Sequence, residues 1–170
     1  MEGDDLRWAI EAAVPRGADP NLHLFAEDDV WQEPVENLLE RTLGLSSRPC
    51  RAAEAVLARH HSLDERFILE GFWILPEFAA KTEFNGVDMS GGVRCLFLFD
   101  ADLSAIAKRR AARDDNTSRA KPQAARLDMF LAHGAITRRS AEALGLPVLE
   151  SRPFETLEAR ALVVLDEGVA

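Results

Sequence analysis

The run Val93-Arg94-Cys95-Leu96-Phe97-Leu98-Phe99, with Asp100-Ala101-Asp102-Leu103 after it, decides the fold. Beyond Arg94 it is continuously apolar, the pattern of a strand covered on both faces in a parallel sheet. Asp100 and Asp102 then supply carboxylates suited to opening a helix. Leu103, Ile106 and Ala107 carry that helix on at helical spacing to about Arg113. A buried strand running straight into a helix is the first half of a βαβ unit.

Working outward, Arg66–Leu69 reads as a second, shorter strand ending at Glu70-Gly71. Downstream, a long helix runs from about Ala124 to Leu144 and stops at Gly145. Leu146–Leu149 is a third strand, and Glu155–Asp166 a closing helix. Upstream the chain is helical. Asp4 and Asp5 open a helix carried by Leu6, Ala9, Ile10 and Ala13, which Pro15, Gly17 and Pro20 end. A second helix presents Val35, Leu38, Leu39 and Thr42, and a third spans Arg51–His61. Residues 76–92 read as a short helix and a loop rich in Gly, Asn and Ser. Strands alternating with helices predict an α/β fold, a mostly parallel sheet flanked by helices, in a single domain over 1–170.

Composition bounds the function. With 47% apolar and 29% charged residues the chain is globular, and no apolar run approaches the roughly 20 residues that cross a bilayer. Met1 is followed by Glu-Gly-Asp-Asp rather than a basic leader, so a soluble, cytoplasmic protein without membrane association is expected. Cys50 and Cys95 are far apart and without a CxxC, which reads as two free thiols. The net charge of −9 disfavours nucleic acid as a partner. Against that acidity stands one basic island. Between Lys108 and Arg139 nine basic residues face only Asp114, Asp115 and Asp128. Arg110 extends the apolar stripe of Leu103, Ile106 and Ala107, with Arg113 one turn on, and arginines so placed suit an anionic ligand or salt bridges to Asp114 and Asp115.

Four segments, in order along the chain, carry a resemblance: Gly3-Asp4-Asp5-Leu6-Arg7; Ile68-Leu69-Glu70-Gly71-Phe72-Trp73-Ile74-Leu75-Pro76; Val93–Phe99 with Leu103–Arg113; and Gly145-Leu146-Pro147-Val148-Leu149-Glu150-Ser151-Arg152-Pro153-Phe154-Glu155-Thr156-Leu157. Together they resemble small-molecule and polynucleotide kinases of the P-loop class, among them 2-phosphoglycerate kinase-like, uridine kinase-like and AAA-type ATP-binding kinases. The resemblance implies a phosphotransferase using ATP and Mg²⁺ on a small hydroxylated acceptor: a sugar, a nucleoside, a phosphoglycerate or, least favoured, a polynucleotide end. By the same resemblance Asp4 orients or deprotonates the acceptor hydroxyl, Arg7 binds the acceptor, and Glu70 helps to place Mg²⁺. Arg110 and Arg113 stabilise the transferred phosphoryl group. Arg109, Arg152 and Pro153 contact the nucleotide. No direct metal-ligand set is read.

The sequence departs from that family in one respect: nothing in it reads GxxxxGK[ST]. Gly91-Gly92 precedes a strand and has no Lys-Ser/Thr, so it reads as a turn. Losing three or four charge-assisted phosphate contacts removes roughly 5–10 kcal/mol of stabilisation. The family's first strand, loop, helix and second strand occupy roughly 30 residues and would end where Met1-Glu2-Gly3 begins. The resemblance therefore implies a fold incomplete at its N-terminus and impaired in ATP turnover. The alternative is a non-catalytic remnant that binds an anion or a protein through the basic 108–139 segment.

Other constellations carry less. His60 and His61 diverge by about 100° on a helix and cannot chelate one metal. His23 and His133 lack the partners of a hydrolase triad. Glu27-Asp28-Asp29 lacks the alternation and the glycine of a calcium loop.

Overall fold

The structure is a computed structural model that describes residues 3–27, 29–115 and 123–167. It is mixed α/β and mostly helical, with two small sheets. The chain divides into two compact units: Met1–Glu27 with Arg41–Cys95, and Asp28–Glu40 with Leu96–Ala170.

The first unit opens with helix α1 (Gly3–Ala13), whose first turn carries Asp4 and Asp5, where carboxylates meet the positive end of the helix dipole. Arg7 is buried on this helix, 6% exposed. The chain leaves α1 at Pro15 through two 3₁₀ turns, Arg16–Ala18 and Leu24–Ala26. Asp19 anchors the stretch between them. It accepts the Leu22 amide at 3.2 Å and an ion pair from Arg48. Helix α2 (Val35–Leu45) crosses the division in sequence, its last five residues counting with this unit. Helix α3 (Ser47–Ser62) packs on α1 and buries Pro49, Ala53 and Ala58. A short helix α4 (Pro76–Ala79), with Pro76 at its first turn, leads into the antiparallel hairpin of β1 (Glu83–Phe84) and β2 (Val87–Asp88).

Asn85 and Gly86 close that hairpin, both at positive φ (50° and 78°), as a tight two-residue turn requires. Phe84 is fully buried and meets Phe78 edge-on, ring centres 5.4 Å apart. Glu54 on α3 pins the hairpin from below: it pairs with Lys81 and accepts the Asn85 amide at 3.4 Å. Trp73, Leu22, Leu24 and Leu45 complete this unit's core.

The second unit is organised on strands β3 (Phe97–Phe99) and β4 (Val148–Glu150), which pair in parallel with Phe97 opposite Val148, Leu98 opposite Leu149 and Phe99 opposite Glu150. Between them the chain runs through helices α5 (Leu103–Asp115) and α6 (Gln123–Ala143), and helix α7 (Leu157–Glu167) follows β4. Asp102 opens α5 as the residues foretell, accepting the Ala105 amide at 2.9 Å and the Ser104 hydroxyl at 2.8 Å. Gly145, at φ 70°, ends α6. Its amide reaches the Glu142 carbonyl and the Leu146 amide the Ala141 carbonyl, which satisfies the last open groups of the helix. Met129, His133 and Ala141 are buried on α6, and its Arg126 stacks over buried Trp31 at 5.2 Å.

Two expectations shift. The apolar run from Val93 enters a ladder only at Phe97, because its partner β4 is three residues long. Residues 66–69 form no strand. Glu70 alone makes a bridge, and Ile68 is 81% exposed, so that run lacks the cover a strand of this composition needs. Among the described residues no helix is long and apolar enough to cross a membrane.

Candidate functional site

The carboxyl ends of parallel strands are where backbone direction and the following loops expose side chains to a ligand. In the second unit β3 delivers Asp100 there and β4 delivers Ser151-Arg152-Pro153. The ladder persists up to this point, since the Ser151 amide donates to the Phe99 carbonyl at 2.7 Å. Arg109, two turns into α5, comes back over the same spot.

All three meet at Asp100. Its Oδ2 accepts Nη2 of Arg109 at 2.7 Å, and Nε of Arg152 lies 3.2 Å from both carboxylate oxygens. The Asp102 amide donates to Oδ1 at 2.9 Å. The carboxylate is nearly enclosed, its side chain 9% exposed, while Arg109 and Arg152 are 46% and 35% exposed. Burial by itself would raise the Asp100 pKa. The hydrogen bonds from Arg109, the Asp102 amide and Arg152 outweigh burial and hold it below the ordinary aspartate value.

Each guanidinium offers five N–H groups. Arg109 commits one nitrogen and Arg152 one nitrogen to Asp100, and among the described residues neither has a further hydrogen-bond acceptor. Two positive charges therefore share one negative charge, with outward N–H groups left over. Phe154 stands between them, 50% exposed, its ring 5.0 Å from the Arg152 guanidinium and 5.6 Å from that of Arg109. Stacking of this kind keeps a guanidinium flat and its edges directed outward.

Arg160 on α7 behaves oppositely. All three of its nitrogens are used on the loop after β4: Nη1 on the Glu150 carbonyl at 2.7 Å, Nη2 on the Pro153 carbonyl at 3.0 Å, and Nε on the Thr156 hydroxyl at 3.2 Å. It holds the loop that presents Arg152 and Pro153, with one bond from each of its three nitrogens.

Asp4, Arg7 and Glu70 belong to the first unit. Asp4 and Arg7 do come together, on α1, but they address each other: Arg7 Nε is 3.5 Å from Asp4 Oδ1 and its Nη1 donates to Glu11 at 2.8 Å. The Arg7 guanidinium also lies 5.9 Å from the Phe25 ring, buried within the first unit. Glu70 is exposed in the same unit. Arg110 and Arg113 belong to α5, but their side chains lie outside the described residues, as do Arg119 and Lys121. Of the proposed nucleotide contacts, Arg109, Arg152 and Pro153 are thus the set that the fold gathers in one place.

Asp100 itself escaped the sequence reading, which took it only as a helix opener. A signal was present: a carboxylate directly after a buried parallel strand stands at the mouth of an α/β sheet, the same reasoning that singled out Glu70. The thiols offer no nucleophile. Burial raises the Cys50 pKa to about 11 and also raises that of Cys95.

Among the described residues no group of three or more His, Cys, Asp or Glu side chains is placed to hold a metal ion. Comparison with family models, with curated proteins and with solved structures returns no match to this chain.

Proposed function

We propose that this chain is a P-loop-kinase-like phosphotransferase scaffold that engages the phosphates of ATP through Arg109 and Arg152, for transfer to a small hydroxylated acceptor. The observation that carries this reading is the convergence of two incompletely used guanidinium groups on Asp100 at the carboxyl ends of a parallel strand pair. Bidentate, charge-assisted hydrogen bonds to phosphate oxygens are what such outward edges supply.

The residues present fit the phosphate end of the ligand. Mg²⁺ takes one or two carboxylates together with substrate phosphates, so it needs no protein cage. Glu70 is the side chain that the resemblance assigns to it, and no geometry follows for the ion. Arg7 donates to Glu11 and lies in an ion pair with Asp4 at 3.5 Å, so an acceptor would have to compete with both carboxylates for the Arg7 guanidinium. Without GxxxxGK[ST] in the sequence, phosphate binding rests on side chains rather than on a cradle of backbone N–H groups. Turnover by these residues alone is accordingly expected to be slow.

Calorimetric titration with MgATP tests the reading. The expected result is saturable binding at up to about millimolar nucleotide, competed by inorganic tripolyphosphate and not by adenosine. No binding at that concentration overturns it. The reading left standing would then be a non-catalytic chain that meets a partner through its basic 108–139 segment, which the excess of Lys and Arg there favours.

A further inference from the structure

The tip of the β1–β2 hairpin is the two-residue turn Asn85-Gly86, and both residues are exposed. They stand at φ 50° and φ 78°, the left-handed pair that a turn this short needs. The Asn85 main-chain amide donates to Glu54 on α3 at 3.4 Å. Among the described residues the Asn85 carboxamide makes no hydrogen bond, and neither does the Gly86 amide. A Cβ built on Gly86 meets nothing within 4 Å, so that side of the turn is open. A carboxamide carbon and the amide nitrogen of the next residue therefore stand side by side, both unengaged, with no side chain on Gly86 to shield the nitrogen.

Asn21 and Asn37 lack this freedom. Asn21 precedes Leu22, which is fully buried and whose amide is held by Asp19 Oδ1 at 3.2 Å. Asn37 lies within α2 before buried Leu38, whose amide donates to the Pro34 carbonyl at 3.1 Å. At both positions the nitrogen that would have to attack is shielded by a leucine side chain and tied in a hydrogen bond. At Asn85 neither barrier exists. Its hairpin has two residues on each side, a size that opens locally at little cost. Asn116 lies outside the described residues.

We propose that Asn85-Gly86 is a site of self-modification, at which the folded chain converts Asn85 to isoaspartate and aspartate through a succinimide. The Gly86 nitrogen gives its proton to solvent base and bonds to Cγ of Asn85. The Cγ–Nδ2 bond breaks, and that nitrogen leaves as ammonia. Water then opens the ring. Cleavage at the main-chain carbonyl leaves the chain running through Cγ, an isoaspartate, and cleavage at Cγ leaves an ordinary aspartate. One water is taken up and one ammonia released for each residue converted, and nothing is oxidised or reduced. Either product adds a negative charge at the residue whose amide Glu54 holds. Isoaspartate also adds an atom to the main chain inside a two-residue turn, which puts the Glu83–Asp88 and Phe84–Val87 pairs out of register. The hairpin is thereby loosened from α3. The site lies in the first unit and does not depend on the nucleotide reading.

The test incubates the full chain in mildly alkaline buffer, where more of the attacking nitrogen is deprotonated, and digests samples with trypsin over time. Cleavage after Lys81 and Arg94 releases Thr82–Arg94, in which Asn85 is the only asparagine. Cleavage after Arg16 and Arg41 releases Gly17–Arg41, which carries Asn21 and Asn37. Reversed-phase chromatography with mass spectrometry separates the amide, aspartate and isoaspartate forms. Thr82–Arg94 should convert at least tenfold faster than Gly17–Arg41, giving both acids. Gly86→Ala should slow that conversion at least tenfold, in the folded chain and in the chain unfolded by guanidinium alike. The rate in the folded native protein should lie within about tenfold of the rate in the unfolded chain. Equal rates for the two peptides overturn the proposal, as does an undiminished rate in Gly86→Ala. A folded rate further below the unfolded one than that also overturns it, since the hairpin would then protect Asn85 rather than expose it.

Discussion

Nε of Arg152 lies 3.2 Å from both carboxylate oxygens of Asp100, a residue 52 positions earlier in the chain. The contact ties the loop after β4 to the end of β3 and fixes where the Arg152 guanidinium points. Asp100 serves Arg109 in the same way, so one enclosed carboxylate sets the direction of two half-exposed cations.

Replacing Asp100 with Asn should therefore cost stability. The arginines are partly screened by solvent, so the loss is about 1–2 kcal/mol rather than the value for a buried pair. The folded pKa of Asp100 lies below its unfolded value of about 3.9. Its contribution is complete above that value and fades as pH falls from there through the folded pKa. Urea unfolding of wild type and Asp100→Asn should differ at neutral pH and converge on acidification. A difference that stays constant with pH would contradict the ion-pair account.

Gly86→Ala isolates backbone strain. At φ 78° a Cβ is disfavoured by about 1–2 kcal/mol, and a Cβ built there meets nothing within 4 Å, so no packing change confuses the result. Thermal unfolding should report a loss of about 1 kcal/mol. No loss would mean that the hairpin does not need the left-handed turn.

Both thiols should be slow. With burial raising the Cys50 pKa to about 11 and raising Cys95 as well, little thiolate exists near pH 8. A chromogenic disulfide reagent should titrate two thiols quickly in denaturant and far more slowly in native protein. Because the thiol form is the one favoured on folding, the associated stability is present at neutral pH and is lost as pH rises through about 9 to 11. Equal reaction rates in native and denatured protein would refute the burial.

Arg7→Ala tests whether Arg7 is part of the framework. Its guanidinium is buried between Glu11, Asp4 and the Phe25 ring, so truncation removes that packing and leaves Glu11 with only the His23 ring 3.7 Å away. The expected loss is about 2 kcal/mol, reduced from the buried-pair figure because both carboxylates are partly exposed. Arg109→Ala, at a side chain 46% exposed, should cost less than half as much. A stability change for Arg7→Ala no larger than that for Arg109→Ala would free Arg7 for a ligand role.

The helices were legible because their apolar residues repeat at 3.6 and their ends carry the expected residues, Asp102 before α5 and Gly145 after α6. Strand β4 was legible within a residue or two, for want of any helical alternative between Gly145 and Pro153. The hairpin at Glu83–Asp88 passed as loop. Two residues on each side are too few to show alternation, although Asn85-Gly86 was the turn signal. Residues 66–69 looked like a strand because local composition cannot tell whether a partner exists to pair with it. The site was only half visible. Arg109 and Arg152 entered through the kinase resemblance, but Asp100 acquires its role from contacts 9 and 52 positions away, which no local pattern encodes.

The central claim is that Arg109 and Arg152 hold phosphate while Arg7 and Arg160 hold the fold, and ATP affinity across four single Gln variants tests it most directly. Arg109→Gln and Arg152→Gln should each lower affinity about tenfold, about 1.4 kcal/mol, with small effects on unfolding. Arg7→Gln and Arg160→Gln should lower stability and leave the affinity of the folded fraction unchanged. Undiminished ATP affinity in both Arg109→Gln and Arg152→Gln would contradict the claim.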